Sequence, residues 1–116
     1  MLPSRYRLKK NKDFQRVYKE GEGFREDFLF LKVLSNNLEN SRIGIVVGKK
    51  VSNKATERNL IKRRLRGAAR ERMSDIKDGL DIIIVVLKDA SKETSFEEIE
   101  KAVDTLFLRA KIISRL

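Results

Sequence analysis

Five cations and an amide recur along residues 55–72, ATERNLIKRRLRGAARER, at spacings that set them on one side of a helix. At about 100° per residue, with Arg58 at zero, Lys62, Arg66 and Arg70 fall near ~40°, ~80° and ~120°. Asn59 falls near ~100° and Arg63 near ~140°, while Ile61, Leu65 and Ala68 lie between roughly 280° and 340° on the far side. A solvated helix face ordinarily mixes signs at i, i+4 and gains a few tenths of a kcal/mol per pair. Here like charge repeats at that spacing, and the only acids, Glu57 and Glu71, stand at the ends. Such repulsion is relieved when an anion neutralises it. The planar fork of arginine meets phosphate oxygens bidentately and stacks on bases. Lys49, Lys50 and Lys54 precede the helix, whose N-terminal N–H groups and dipole also favour phosphate. Arg64 and Arg72 lie on the apolar side and are expected to snorkel at its margins. The apolar arc holds Ile, Leu and Ala without Trp or Phe, which suits a protein core better than a lipid surface.

A second set of residues suits unpaired bases. Phe14, Tyr18, Phe24, Phe28 and Phe30 all fall within the first 30 positions. Each has an ordinary reading as core packing and an alternative reading as a stacking platform, where a base is worth ~1–3 kcal/mol. Phe14 and Tyr18 on a first helix would line a groove with Phe28 and Phe30 on a strand, flanked by Arg5, Arg7, Lys9, Lys10 and Lys12.

Binding is favoured over catalysis by what is missing. The chain has no cysteine and no histidine, so no disulfide, thiol nucleophile, imidazole base or zinc site of those ligands can form. No compact group of carboxylates suggests a metal cage either. Net charge is +10 over 116 residues, with a sequence pI near 10.1, a balance that points to a polyanionic partner. The charge is segregated: residues 42–72 carry eleven basic and two acidic groups, whereas residues 73–104 carry four and nine. No apolar run approaches the ~18–20 residues of a membrane span, and the start, MLPSRYRLKK, lacks the apolar centre of a secretory signal. A cytoplasmic, single-domain protein spanning residues 1–116 is expected.

These residues must be positioned by a small set of elements. Phe14, Val17 and Tyr18 at i, i+3, i+4 predict a helix over 11–20, stopped at Gly21. Residues 24–34 read as a strand with Phe28, Phe30 and Lys32 on one face and Leu29, Leu31 and Val33 on the other, or as two strands if the segment is split. A turn cluster at 35–41 precedes a β-branched strand at 42–48. The basic helix is expected at 56–73. DIIIVVLK, 81–88, has the continuous apolar character of a central strand. Ser95 and Glu98 form a capping box before a last helix, whose Ile99, Val103, Leu106, Ala110 and Ile113 make a core stripe. The order α-β-β-α-β-α implies helices packed on a small sheet.

On these residues the chain resembles the bacterial ribonuclease P protein component, the small basic partner of a catalytic RNA. LPSRYRLKKNKDFQRVYKEG is similar to that family's N-terminal arm and first helix, and RIGIVVGKKVSNKATERNLIKRRLRGAARE to its strand, loop and signature helix. DGLDIIIVVLK with the amphipathic helix beyond it completes the likeness. The family's motif usually reads Arg-Asn-Arg, and Leu60 holds the third position here, near ~200° and off the basic arc. The resemblance implies an α+β fold, a two-layer α-β sandwich like ribosomal protein S5 domain 2, with a left-handed βαβ crossover through the basic helix.

It further implies a subunit that assists Mg²⁺-dependent removal of the 5′ leader from precursor tRNA. The catalytic groups and the Mg²⁺ would belong to the RNA, with no cofactor held by the protein alone. Lys49, Lys50, Lys54, Arg58, Asn59, Lys62, Arg63, Arg66 and, by its place on the arc, Arg70 would contact the catalytic RNA. Lys10, Lys12, Phe14, Tyr18, Phe30 and Lys32 would form the leader cleft. Two other classes compete on size and charge: a ribosome-associated RNA binder, and a duplex DNA reader, which would need a short helix and turn before the basic helix.

Overall fold

The computed structural model describes residues 2–88 and 94–113. Helix α1 spans Asn11–Glu20, its C-terminal carbonyl at Val17 accepting from the Gly21 N–H. Strands β1 (Glu22–Glu26) and β2 (Leu29–Ser35) follow as an antiparallel hairpin. The segment read as strand 24–34 is therefore split, because Asp27 takes a left-handed φ of 55° and reverses the chain. Strand β3 (Arg42–Val47), helix α2 (Ala55–Arg72), strand β4 (Leu80–Val86) and helix α3 (Phe96–Arg109) complete the order, with 3₁₀ turns at Ser4–Tyr6 and Met73–Asp75.

The sheet order is β1-β2-β4-β3. Strand β4 pairs antiparallel with β2 and parallel with β3, so α2 is the crossover between two adjacent parallel strands. Its central place follows from its composition: Ile82, Ile83, Ile84 and Val86 are all buried.

The two faces of the sheet carry separate clusters. Leu29, Leu31, Ile43, Val47, Ile82, Ile84 and Val86 pack with Ile61, Leu65 and Ala68 of α2 and Ile99, Val103 and Leu106 of α3. On the other face Ile83 packs with Val17 of α1 and Leu8 of the N-terminal arm, with Phe14, Leu34, Val46 and Val85 at the margin. Phe28 does not share the face of Phe30 and Lys32. It is buried in the cluster under α2 and α3, because the turn at Asp27 places it outside the strand alternation. Helix α3 opens on the expected box, Ser95 Oγ accepting from the Glu98 N–H and Glu98 Oε1 from the Ser95 N–H. It stops at Arg109, so Ala110 and Ile113 lie beyond it, and a left-handed Lys111 turns Ile112 and Ile113 back into the core.

Candidate nucleic-acid interface

Helix α2 buries Ile61, Leu65, Ala68 and Ala69, which commits the opposite side to solvent. Asn59, Arg63 and Arg70 are exposed there, and Arg58, Lys62 and Arg66 are half-buried. Among the described residues, Lys62, Arg63, Arg66 and Arg70 have no acidic side chain within ion-pair distance, although Glu57 and Glu71 share the helix. Arg58 is held differently: its Nη1 donates to the Ser52 carbonyl at 2.9 Å and ties the preceding loop to the helix. In that loop Ser52 Oγ donates to Glu57 Oε1 at 2.9 Å, and Lys54 Nζ stands 3.8 Å from Glu57 Oε2. A shallow groove of about 610 Å³ runs along the face, lined by Thr56, Asn59, Leu60, Arg63, Arg66 and Gly67. Leu60, off the arc by angle, thus lies beside Arg63 in the same groove.

Arg64 and Arg72 do more than snorkel. Arg64 Nη1 donates to the Thr94 carbonyl at 2.9 Å. Arg72 bonds Asp104 through Nε and Nη2, the latter at 3.0 Å, and Glu100 through Nη2 at 3.0 Å. The bonds to Asp104 and Glu100 outweigh the cost of burial and hold its guanidinium charged, above its ordinary pKa. Charge on α2 is divided accordingly: Arg72 is paired with acids of α3 and Arg64 bonds a backbone carbonyl, while Lys62, Arg63, Arg66 and Arg70 face no acid among the described residues.

The second surface lies on the sheet face under α1. The ring of Phe14 rests on Gly44, where a Cβ would come within 2.5 Å of Cζ and displace the ring. Phe30 covers Gly23 in the same way, a Cβ there meeting Cζ at 2.8 Å. Lys32 Nζ donates to the Gly21 carbonyl at 3.1 Å, which turns the ammonium onto the C-terminal end of α1 where the helix dipole favours a cation. Tyr18 is 41% exposed, and its partial burial raises the hydroxyl's pKa. Lys10 and Lys12 stand exposed at the N-terminal end of α1. Beyond the helix the same face continues as a groove of about 610 Å³, lined among others by Val46, Val85, Arg25, Lys49 and Lys50. Lys49 and Lys50 therefore connect the aromatic face to α2.

One constellation escaped the sequence reading. Asp81, the first inward residue of β4, is fully buried and accepts from Arg42 Nε at 2.8 Å, Arg42 Nη2 at 2.7 Å, Arg16 Nη2 at 3.2 Å and Asn36 Nδ2 at 3.0 Å. Arg42 also reaches Asp13 at 3.5 Å. Two bridges, Arg16–Asp81 and Arg42–Asp13, thus fasten α1 over the sheet and fix where Phe14 and Tyr18 project. Burial raises the Asp81 pKa, but the bonds from Arg42 and Asn36 dominate in sum and hold it below the ordinary carboxylate value. The available signal was a lone acid opening an apolar strand and an arginine opening the strand beside it.

The element before α2 is a strand and loop, not a helix, so a helix-turn-helix reader lacks its first part. No helix among the described residues is long and apolar enough to cross a membrane. Among those residues no group of three or more acidic side chains is placed to hold a metal ion.

The chain has relatives along nearly its whole length. The family model described as Ribonuclease P matches residues 2–111. A ribonuclease P protein component of Pseudanabaena sp. is 41% identical over 114 residues, covering 97% of each chain. That of Clostridioides difficile is 39% identical over 106 residues, covering 90% of this chain and 91% of its own. The RNase P protein of Staphylococcus aureus superposes with a TM-score of 0.85 at 33% identity, over 93% of this chain and 97% of its own. The RNase P protein of Thermotoga maritima gives 0.80 at 32%, over 89% and 96%. With an α+β fold, a basic crossover helix and likeness along nearly its whole length, the chain belongs to the ribonuclease P protein component family.

Proposed function

We propose that the chain acts as the protein subunit of ribonuclease P by binding two RNAs on two surfaces, and contributes no reacting group of its own. The outer face of α2, with Lys49, Lys50 and Lys54 ahead of it, binds the catalytic RNA through Arg58, Asn59, Lys62, Arg63, Arg66 and Arg70. The face under α1 binds the 5′ leader of precursor tRNA through Phe14, Tyr18 and Phe30, with Lys10, Lys12 and Lys32 at its edges. The observation that carries this is the asymmetry of α2, whose inward Arg72 is tied to α3 and Arg64 to the Thr94 carbonyl, while four outward cations have no acidic partner among the described residues. Arginines held apart from internal acids retain their charge for phosphate.

On this reading the protein alone holds no Mg²⁺. The metal and the hydrolytic chemistry are assigned to the RNA, and the cytoplasm, where tRNA is processed, to the complex. What the protein supplies is position and counter-charge: neutralised phosphates let the RNA approach its substrate, and an aromatic cleft holds a single strand in extended form.

The test is reconstitution with a bacterial ribonuclease P RNA and a leader-bearing precursor tRNA at low Mg²⁺. The protein alone should leave the substrate intact, and its addition should strongly raise cleavage by the RNA. Lys62→Ala and Arg63→Ala should each lower the salt-dependence slope of RNA binding by about one unit. A chain that stimulates no bacterial RNA subunit would end this reading.

A further inference from the structure

An acid stands at the head of the basic helix. Glu57 lies in the first turn of α2, directly before Arg58, and its side chain keeps 22% of its exposure. An acid there suits the helix dipole, which accounts for its stability but not for where its oxygens point. Both are directed at the loop of residues 48–54. Oε1 accepts from Ser52 Oγ at 2.9 Å, and Oε2 stands 3.8 Å from Lys54 Nζ. Ser52 is held in two further ways: its hydroxyl accepts from the Lys54 N–H at 3.2 Å, and its carbonyl accepts from Arg58 Nη1 at 2.9 Å. Ser52 is the point at which the loop is tied to the helix.

The chain just before Ser52 is fixed as well. The Val51 N–H donates to the Gly48 carbonyl at 3.1 Å and closes a turn with Lys49 and Lys50 at its centre. Val51 packs, partly buried, against the core cluster under α2 and α3. Lys49 and Lys50 themselves are exposed. They line one end of the groove on the sheet face, and Thr56 and Asn59 line the groove of α2. Ordering a loop on binding costs free energy, so a backbone already tied in place leaves more of each lysine–phosphate contact as affinity.

We infer that Glu57 is a positioning residue for RNA: acting through Ser52, it holds the turn of residues 48–51 so that Lys49 and Lys50 meet phosphates together. It touches no RNA itself. The inference rests on the RNA-binding reading and adds that an acid, which repels phosphate, strengthens binding.

The sign of the effect is the test. By charge alone, removing any acid from a chain of net charge +10 should tighten RNA binding. Glu71, the acid at the other end of α2, is 60% exposed and stands 3.6 Å from Arg72 Nη1, so it serves as the charge-matched control. Affinity for the catalytic RNA is measured across a salt series for each variant. Glu71→Ala should bind as tightly as wild type or tighter. Glu57→Ala should bind about two- to tenfold more weakly, the net worth of one hydrogen bond, with a salt slope lower by about one unit. Glu57→Gln, which keeps an acceptor for Ser52 Oγ, should recover most of the loss, and Ser52→Ala, which changes no charge, should reproduce it. With Lys49 and Lys50 both replaced by alanine, Glu57→Ala should cost nothing more. A Glu57→Ala chain that binds as tightly as Glu71→Ala, or whose loss persists undiminished without the two lysines, overturns the positioning role. Should Glu57→Ala fail to fold, Ser52→Ala decides by the same two comparisons. Wild-type binding with equal Glu57 and Glu71 variants ends this inference alone, whereas a wild-type chain that binds no RNA ends the function proposed above with it.

Discussion

Replacing Asp81 with asparagine should remove a measurable share of the folding free energy and do so only where the carboxylate is charged. The wild-type group is fully buried and receives two bonds from Arg42, one from Arg16 and one from Asn36. Asparagine keeps one acceptor but turns an amide donor toward guanidinium donors. Breaking one partner of a buried pair costs about 3–5 kcal/mol. The lower end applies, because the Arg42 side chain keeps 20% of its exposure and the carboxylate of Asp13 at 3.5 Å. A loss of about 3 kcal/mol would lower Tm by roughly 10 °C in a domain of this size.

The pH dependence fixes the cause. Asp81 titrates below its ordinary value in the folded chain, so its contribution is fully present above the unfolded pKa of about 3.9 and is lost as pH falls through the folded pKa. Urea unfolding of both chains at pH 7 and again below pH 3 is the assay. The gap should be widest at pH 7 and narrow in acid. A gap under about 1 kcal/mol at pH 7, or one that persists undiminished in acid, would refute the assignment of this carboxylate as the fastener of α1.

Two further outcomes follow from how side chains are shared between core and surface. Tyr18→Ala should weaken binding of leader-bearing precursor tRNA by about 1–3 kcal/mol with little change in Tm, since Tyr18 is the exposed aromatic of α1, whereas Phe14→Ala should also lose stability through its contact with Gly44. Direct binding assays with leader-bearing and leaderless substrates, paired with thermal melts, separate the two. Arg72→Met should lower Tm, by removing bonds to Asp104 and Glu100 that join α2 to α3, and leave the salt slope of RNA binding unchanged. An altered slope would mean that Arg72 belongs to the RNA face after all.

Much of this was legible in the sequence because it depends on local periodicity. The 3.6-residue spacing of Ile61, Leu65 and Ala68 fixes which side of α2 is buried and hence which cations face outward, whatever the partner. The β-branched run of β4 demands cover on both faces, and Ser95 with Glu98 caps α3 from positions three apart. What lay beyond the sequence depends on residues far apart in the chain. Asp81 meets Arg42 and Arg16 across 39 and 65 positions, and Arg72 meets Glu100 and Asp104 on another helix. Phe28 changed faces because one left-handed residue, Asp27, interrupted the alternation on which strand reading relies. Arg7 reads as one more basic residue of a polar arm until its backbone bridges Ile43 at the edge of β3 and its Nε is buried. Periodicity decides which way a side chain points from its own element; only the packing of elements decides whether another charge is waiting there.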